Sequence, residues 1–152
     1  MSLELKVPPL VVGALVAGVM GLVDYLLPAA RLVLPGTTVV AGLLAVVGLG
    51  VAIAGVLNFR RARTSVNPMR PEEATAVVDT GIYRISRNPM YLGFLLVLLG
   101  FACWLANVAA LCVLPLFVVY MNRFQIGPEE RLLREKFGAA YTRYQSRVRR
   151  WL

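Results

Sequence analysis

The sequence predicts an all-α integral membrane protein with about four transmembrane helices, the last two folded as a short hairpin, followed by a C-terminal amphipathic helix at the interface. Three observations carry that prediction. The chain of 152 residues is 59% hydrophobic with a mean hydropathy of +0.71, too apolar for an ordinary soluble domain. Its apolar residues gather into runs of about twenty or more, the length a helix needs to cross a hydrocarbon core of about 30 Å. Its 16 Lys and Arg residues fall almost entirely outside those runs. One domain, residues 1–152, accommodates all of this.

Residues 7–27 form the first run. It is too long, and too weakly led by the single basic residue Lys6, to read as a cleaved signal peptide. Residues 35–59 form the second run, and together residues 1–59 make a two-helix scaffold. Small residues recur at Gly13, Ala17 and Gly21, and again at Gly42, Gly48 and Ala52. Such spacing lets helix backbones approach closely in lipid. It serves packing within the chain, or a homodimer through these Gly/Ala-rich helices. Asp24 is the ionisable exception in the first run, where burial is costly. It either sits at the interface beside Tyr25, paired with Arg31, or marks an intramembrane ion site.

Residues 60–88 read as a polar loop that covers a site, since a connection of this length in a compact domain is usually functional. Within it, residues 76–84 carry a short apolar run and a Gly turn suited to a lid. Asn88 and Pro89 then form a helix start: Asn88 can cap, and Pro89 fills the first helical position, where its missing N–H does no harm. The free N–H groups of that helix end favour an anionic ligand group.

Residues 89–121 are a third apolar block of 33 residues, too long for one crossing and long enough for two short helices folded at Asn107. After Met121 the pattern becomes amphipathic. Leu133, Phe137, Tyr141, Tyr144, Val148 and Trp151 follow at steps of three and four, opposed by Arg134, Lys136, Arg143, Arg147 and Arg150. Gly138 is a bend point, and the apolar face lies against lipid or the bundle. Glu129 and Glu130, just after Gly127 and Pro128, open this tail in a helix's first turn, where acidic residues complement the dipole. The hairpin returns them to the interface that holds Arg87, Asn88 and Tyr91.

Of the sixteen basic residues, all but Arg31 fall on the side of the termini and the loop, so both termini are expected to be cytoplasmic in a multi-pass protein. That asymmetry and attraction to anionic lipid account for the net charge of +8 without a nucleic-acid partner. The chain has no His, and its two cysteines, Cys103 and Cys112, lie within the apolar block without metal-ligand spacing. No metal site is expected, and no Cys/His or Ser/His nucleophile system can be assembled.

The ordered set Gly81-Ile82-Tyr83-Arg84, Arg87-Asn88-Pro89-Met90-Tyr91-Leu92-Gly93, Glu129-Glu130, Leu133, Phe137-Gly138, Tyr141, Tyr144 and Val148-Arg149-Arg150 resembles the signature of the isoprenylcysteine carboxyl methyltransferase and phospholipid methyltransferase superfamily. The resemblance covers roughly the last half of the chain. It implies an integral membrane enzyme that takes a methyl group from S-adenosylmethionine and passes it to a lipophilic acceptor in the bilayer, with residues 89–152 as the cofactor-binding core and tail helix. By that resemblance, Tyr83, Arg87, Asn88, Pro89, Tyr91, Glu129 and Glu130 line the cofactor pocket. Glu129, Glu130 and Arg134 serve catalysis, Arg134 near an anionic acceptor. The activity implied is most like protein-S-isoprenylcysteine carboxyl O-methylation. The carboxyl-methylating branch usually carries His at the position of Asn88, whereas the phospholipid N-methylating branch has the closer Asn-Pro-Met-Tyr, so phosphatidylethanolamine-type N-methylation is the alternative.

The residue chemistry is compatible with either acceptor. Methyl transfer needs alignment more than covalent help, and a sulfonium suits carboxylates and aromatic faces, here Glu129, Glu130, Tyr83 and Tyr91. Two other classes compete: a small four-helix transporter using Asp24, and a non-catalytic lipid-binding subunit that keeps the fold without turnover.

Overall fold

In the computed structural model, which describes residues 3–32, 34–65 and 67–152, the chain is helical, with one long connection between residues 61 and 89. α1 is Pro9–Leu26, α2 is Thr37–Arg61 and α3 is Pro89–Leu105. The chain then turns and runs back through α4 (Val108–Leu111), α5 (Leu114–Tyr120), a π turn at Met121–Ile126 and α6 (Gly127–Phe137). α7 (Ala139–Arg147) completes the fold. The described residues contain no strand, only an isolated antiparallel bridge between Arg31 and Asn107.

α2 and α3 pack along a seam of glycines. A Cβ on Gly93 would stand 2.5 Å from the Gly48 carbonyl oxygen and 2.8 Å from Ala52, and one on Gly100 would stand 2.8 Å from the Ala41 carbonyl. Backbone therefore meets backbone, the contact that small residues permit in lipid. Gly48 and Ala52 work within the chain, whereas a Cβ on Gly13, Gly21 or Gly42 would meet nothing within 4 Å.

The hairpin turn sits where Asn107 interrupts the apolar block. Ala106 takes a left-handed φ of 50° to end α3, and the Asn107 side chain accepts from Ala110 N–H at 3.2 Å to start the return. The same Asn107 donates to Asp24 Oδ1 at 3.0 Å and to the Leu27 carbonyl at 3.1 Å. Asp24 in turn receives the Arg31 guanidinium through both oxygens.

The helix lengths bear on the crossing count and on the return leg of this hairpin. Three helical stretches, Pro9–Leu26, Thr37–Arg61 and Val108–Phe137, are long and apolar enough to cross a membrane, and Pro89–Leu105 is a shorter apolar helix of 17 residues, about 26 Å long. By length alone three stretches qualify as spans, and the all-helical membrane fold stands without fixing the count at four. The return leg is also not short, since it continues through the π turn into α6.

Pro128 explains the π turn. In a regular helix its ring would press on the Phe124 carbonyl and leave it without a donor. The wider turn bonds Gly127 N–H to the Asn122 carbonyl instead. The spare Phe124 carbonyl accepts from Leu5 N–H at 2.9 Å, tying the N-terminal segment to the same end of the bundle. Glu129 and Glu130 thus lie inside a continuing helix rather than at a free helix start.

Gly138, with φ of 52°, does break the tail into α6 and α7. The stripe of Leu133, Phe137, Tyr141, Tyr144 and Val148 packs against Phe59, Val77, Val78, Ile82 and Tyr83. Its apolar face is covered by the α2 end and the 62–88 connection, and so it holds that connection down.

Candidate active site

A cleft opens at the end of the bundle away from the hairpin turn. Its floor is the start of α3 and the first turns of α6, its far wall is α7, and its cover is the 62–88 connection. Two short 3₁₀ turns, Pro71–Glu73 and Gly81–Arg84, give that cover its shape. Gly81 has φ of 57°, and a Cβ there would stand 2.6 Å from the Asn58 amide. Only glycine lets the cover descend onto α2 at that point.

Glu129 lines the cleft. Its Oε1 accepts from the Tyr91 hydroxyl and from Gln125 Nε2 at 2.7 Å. No cation pairs with it, and Oε2 has no hydrogen-bond partner, among the described residues.

Glu130 is different. Arg87 Nη2 donates to its Oε1 at 2.7 Å, and Arg150 Nη2 donates to its Oε2 at 2.6 Å. Its side chain is 7% exposed. Arg87 also donates to the carbonyls of Gln145 and Val148 at 3.0 and 2.6 Å, and its backbone N–H reaches the Arg149 carbonyl. The knot therefore clamps the chain's last residues against the α3 start. The Arg87 Nε, buried and without a partner, is one of two such side-chain atoms among the described residues; the other is the Tyr83 hydroxyl.

The tyrosines form the apolar wall. Tyr83 meets Phe59 edge-on with ring centroids 5.2 Å apart, and Tyr144 donates to the Tyr83 carbonyl at 2.8 Å. Burial pushes the hydroxyls of Tyr83, Tyr141 and Tyr144 above the ordinary phenol range, so each stays a neutral donor.

Of the residues named from sequence, Tyr83, Arg87, Asn88, Tyr91, Glu129 and Glu130 come together around this cleft. Pro89 is buried at the first position of α3, behind that wall. Arg134 is not brought to it: its side chain is exposed on α6 and donates to Gln145 Oε1 at 3.3 Å. Asn88 does not cap α3 with its side chain, because Nδ2 donates instead to the Arg150 carbonyl at 2.9 Å while Ser86 Oγ takes the Asn88 N–H. Sequence reading also missed Gln125. Its spacing of four from Glu129 within a helix was the available signal.

Comparison with known proteins agrees with the motif. The phospholipid methyltransferase family model matches residues 37–140, more than half of the chain. An uncharacterised Haemophilus influenzae protein is 48% identical over 63 residues, covering 41% of this chain and 100% of its own length. Protein-S-isoprenylcysteine O-methyltransferase B of Arabidopsis thaliana is 34% identical over 97 residues, covering 61% of this chain and 47% of that one. The Saccharomyces cerevisiae protein-S-isoprenylcysteine O-methyltransferase is 29% identical over 114 residues, 73% of this chain and 46% of that one. The chain thus spans about half the length of these named relatives. No solved structure matches it. With the family model lying across α2, the cover, α3 and α6, the chain belongs to the phospholipid methyltransferase family.

Proposed function

We propose that the protein is an S-adenosylmethionine-dependent membrane methyltransferase acting on a lipophilic acceptor, of which the carboxyl of an isoprenylated cysteine is the leading candidate. The observation that carries this reading is Glu129: a carboxylate on the wall of a cleft lined by tyrosines, without a cation of its own. Burying such a charge unpaired is costly, so a cationic ligand is what the position suits. The Tyr83 and Tyr91 rings beside it suit a sulfonium. The partnerless Tyr83 hydroxyl and Arg87 Nε are donors fitted to the anionic and polar parts of such a molecule.

Bound there, S-adenosylmethionine would supply an electrophilic methyl group. The chain's own residues hold and align: Tyr91 and Gln125 fix Glu129, the Glu130 knot fixes the floor, and the cover excludes water. The names of the plant and yeast relatives support a carboxylate acceptor. The Asn88-Pro89-Met90-Tyr91 run and the family's description support the second reading, N-methylation of a phospholipid. The transporter reading loses its support because Asp24 is already held by Arg31 and Asn107.

Orientation follows the charges. Arg31 lies at the hairpin-turn end, while the cleft end gathers Lys6, the basic cover and the tail, which supports a cytoplasmic cleft and cytoplasmic termini.

Calorimetry of detergent-solubilised protein with S-adenosylmethionine tests the donor. Binding that is lost in Tyr91→Ala supports the reading, and no binding at millimolar donor ends it. Labelled donor offered with a prenylcysteine analogue, phosphatidylethanolamine and a lipid extract then identifies the acceptor.

A further inference from the structure

We propose that Gln125 is a positioning residue, a latch through which the seating of the cover segment sets the orientation of Glu129. Gln125 is 2% exposed and does not line the cleft itself. Its Nε2 lies 2.6 Å from the Pro68 carbonyl oxygen and 2.7 Å from Glu129 Oε1, with Tyr91 Oη at 3.4 Å. The Pro68 carbonyl and the Glu129 carboxylate are acceptors, and the NH₂ of the carboxamide serves both, one proton to each, without bringing a charge. A glutamate of the same shape would set acceptor against acceptor.

The backbone is built around this residue. Gln125 lies in the π turn forced by Pro128, and a Cβ at Gly127 would stand 3.0 Å from the Asn122 carbonyl. π turns rotate the residues before them relative to those after, and they recur at functional sites. Here the turn leaves Gln125 one helical step before Glu129 and beneath the cover. Within residues 67–74, a second hydrogen bond to the return helix is at the surface, where exposed Lys136 donates to the Glu72 carbonyl.

With the latch made, Oε1 of Glu129 is held by Tyr91 and Gln125, leaving Oε2 unbonded toward a ligand. With the cover lifted, the carboxamide loses its second acceptor and the carboxylate loses its fixed direction. The kinetic consequence rests on the methyltransferase reading, but the structural coupling does not.

The test uses hydrogen exchange of the 152-residue chain in detergent, without donor, read at the backbone amides within residues 69–74 other than Pro71, which has none. Gln125→Glu keeps the volume and removes the donors, and Gln125→Met serves if the first variant fails to fold. In the folded variant, exchange at 69–74 should rise about tenfold with α3 amides unchanged. Glu129→Ala should raise the same amides, and the double variant Gln125→Met/Glu129→Ala should add nothing further. A merely structural glutamine would leave 69–74 indifferent to Glu129. Unchanged exchange in the Gln125 variants, or no response to Glu129→Ala, overturns the latch. Donor binding by the parent protein is measured separately, so an inert parent would remove the methyltransferase reading and leave the exchange result to decide the latch.

Discussion

The two ends of this bundle each bury a carboxylate, and they treat it in opposite ways. At the hairpin-turn end, Asp24 receives both guanidinium contacts from Arg31 and an amide from Asn107, whose carbonyl oxygen and second contact are also used. At the other end, among the described residues, Glu129 has two neutral donors on one oxygen, none on the second and no cation, beside two orphaned donors. A saturated polar cluster fixes a fold and has no valence left for a ligand; an unsaturated one is stable only because something else completes it. Glu130, one residue from Glu129, follows the rule of the distant end: two arginines saturate it.

Breaking that likeness between Glu130 and Asp24 should give the largest effect. Glu130→Ala strands the guanidinium of Arg87, whose side chain is 12% exposed. Breaking a buried pair costs about 3–5 kcal/mol, and the lower end applies because Arg150 is 37% exposed and screened by solvent. Denaturation in detergent should show a loss of about 3 kcal/mol, with the C-terminal residues after α7 released to protease. If Glu130→Ala instead leaves stability intact while abolishing donor binding, Glu130 is a ligand contact and the division between the two glutamates is wrong.

Glu129→Gln should do the reverse. The carboxamide keeps an oxygen for Tyr91 and Gln125 but removes the charge, so donor affinity should fall about 100-fold, about 2.7 kcal/mol, with thermal stability unchanged or raised. Sites poised for a ligand often gain stability when they are neutralised. Calorimetry and a thermal ramp on the same preparation read both numbers.

This division could not be seen in the sequence, where Glu129 and Glu130 are neighbours in one acidic doublet. Apart from Gln125, four residues before Glu129, their partners lie far along the chain: Tyr91 and Arg87 across the hairpin, and Arg150 beyond the Gly138 break. What was legible was local or periodic. Asn107 interrupts an apolar block, Gly138 permits a positive φ, and the step of three and four from Leu133 to Val148 describes the face that packs on the cover. The cap expected of Asn88 failed because the Arg150 carbonyl offers its amide a tertiary partner that no local rule contains. The long return helix was missed for a related reason. Gly127-Pro128 is a stop signal by local propensity, and only a π turn with Leu5 on the spare carbonyl lets the helix pass through it.

The smallest effect should come from the saturated end itself. Asp24→Asn preserves the shape and a carbonyl for the Asn107 amide, and it removes only the charge facing Arg31. Because Arg31 is 50% exposed, that charge is partly met by solvent or headgroups, and the loss of stability in a thermal ramp should be the smallest of the three. Donor affinity and acceptor turnover should stay within error of the parent, since no described contact links Asp24 to the cleft at the far end of the helices. Ion flux into proteoliposomes should be absent in both proteins. A flux that disappears in Asp24→Asn would mean that the cluster exchanges its partners for a transported ion, and saturation would no longer distinguish the end that builds the fold from the end that binds.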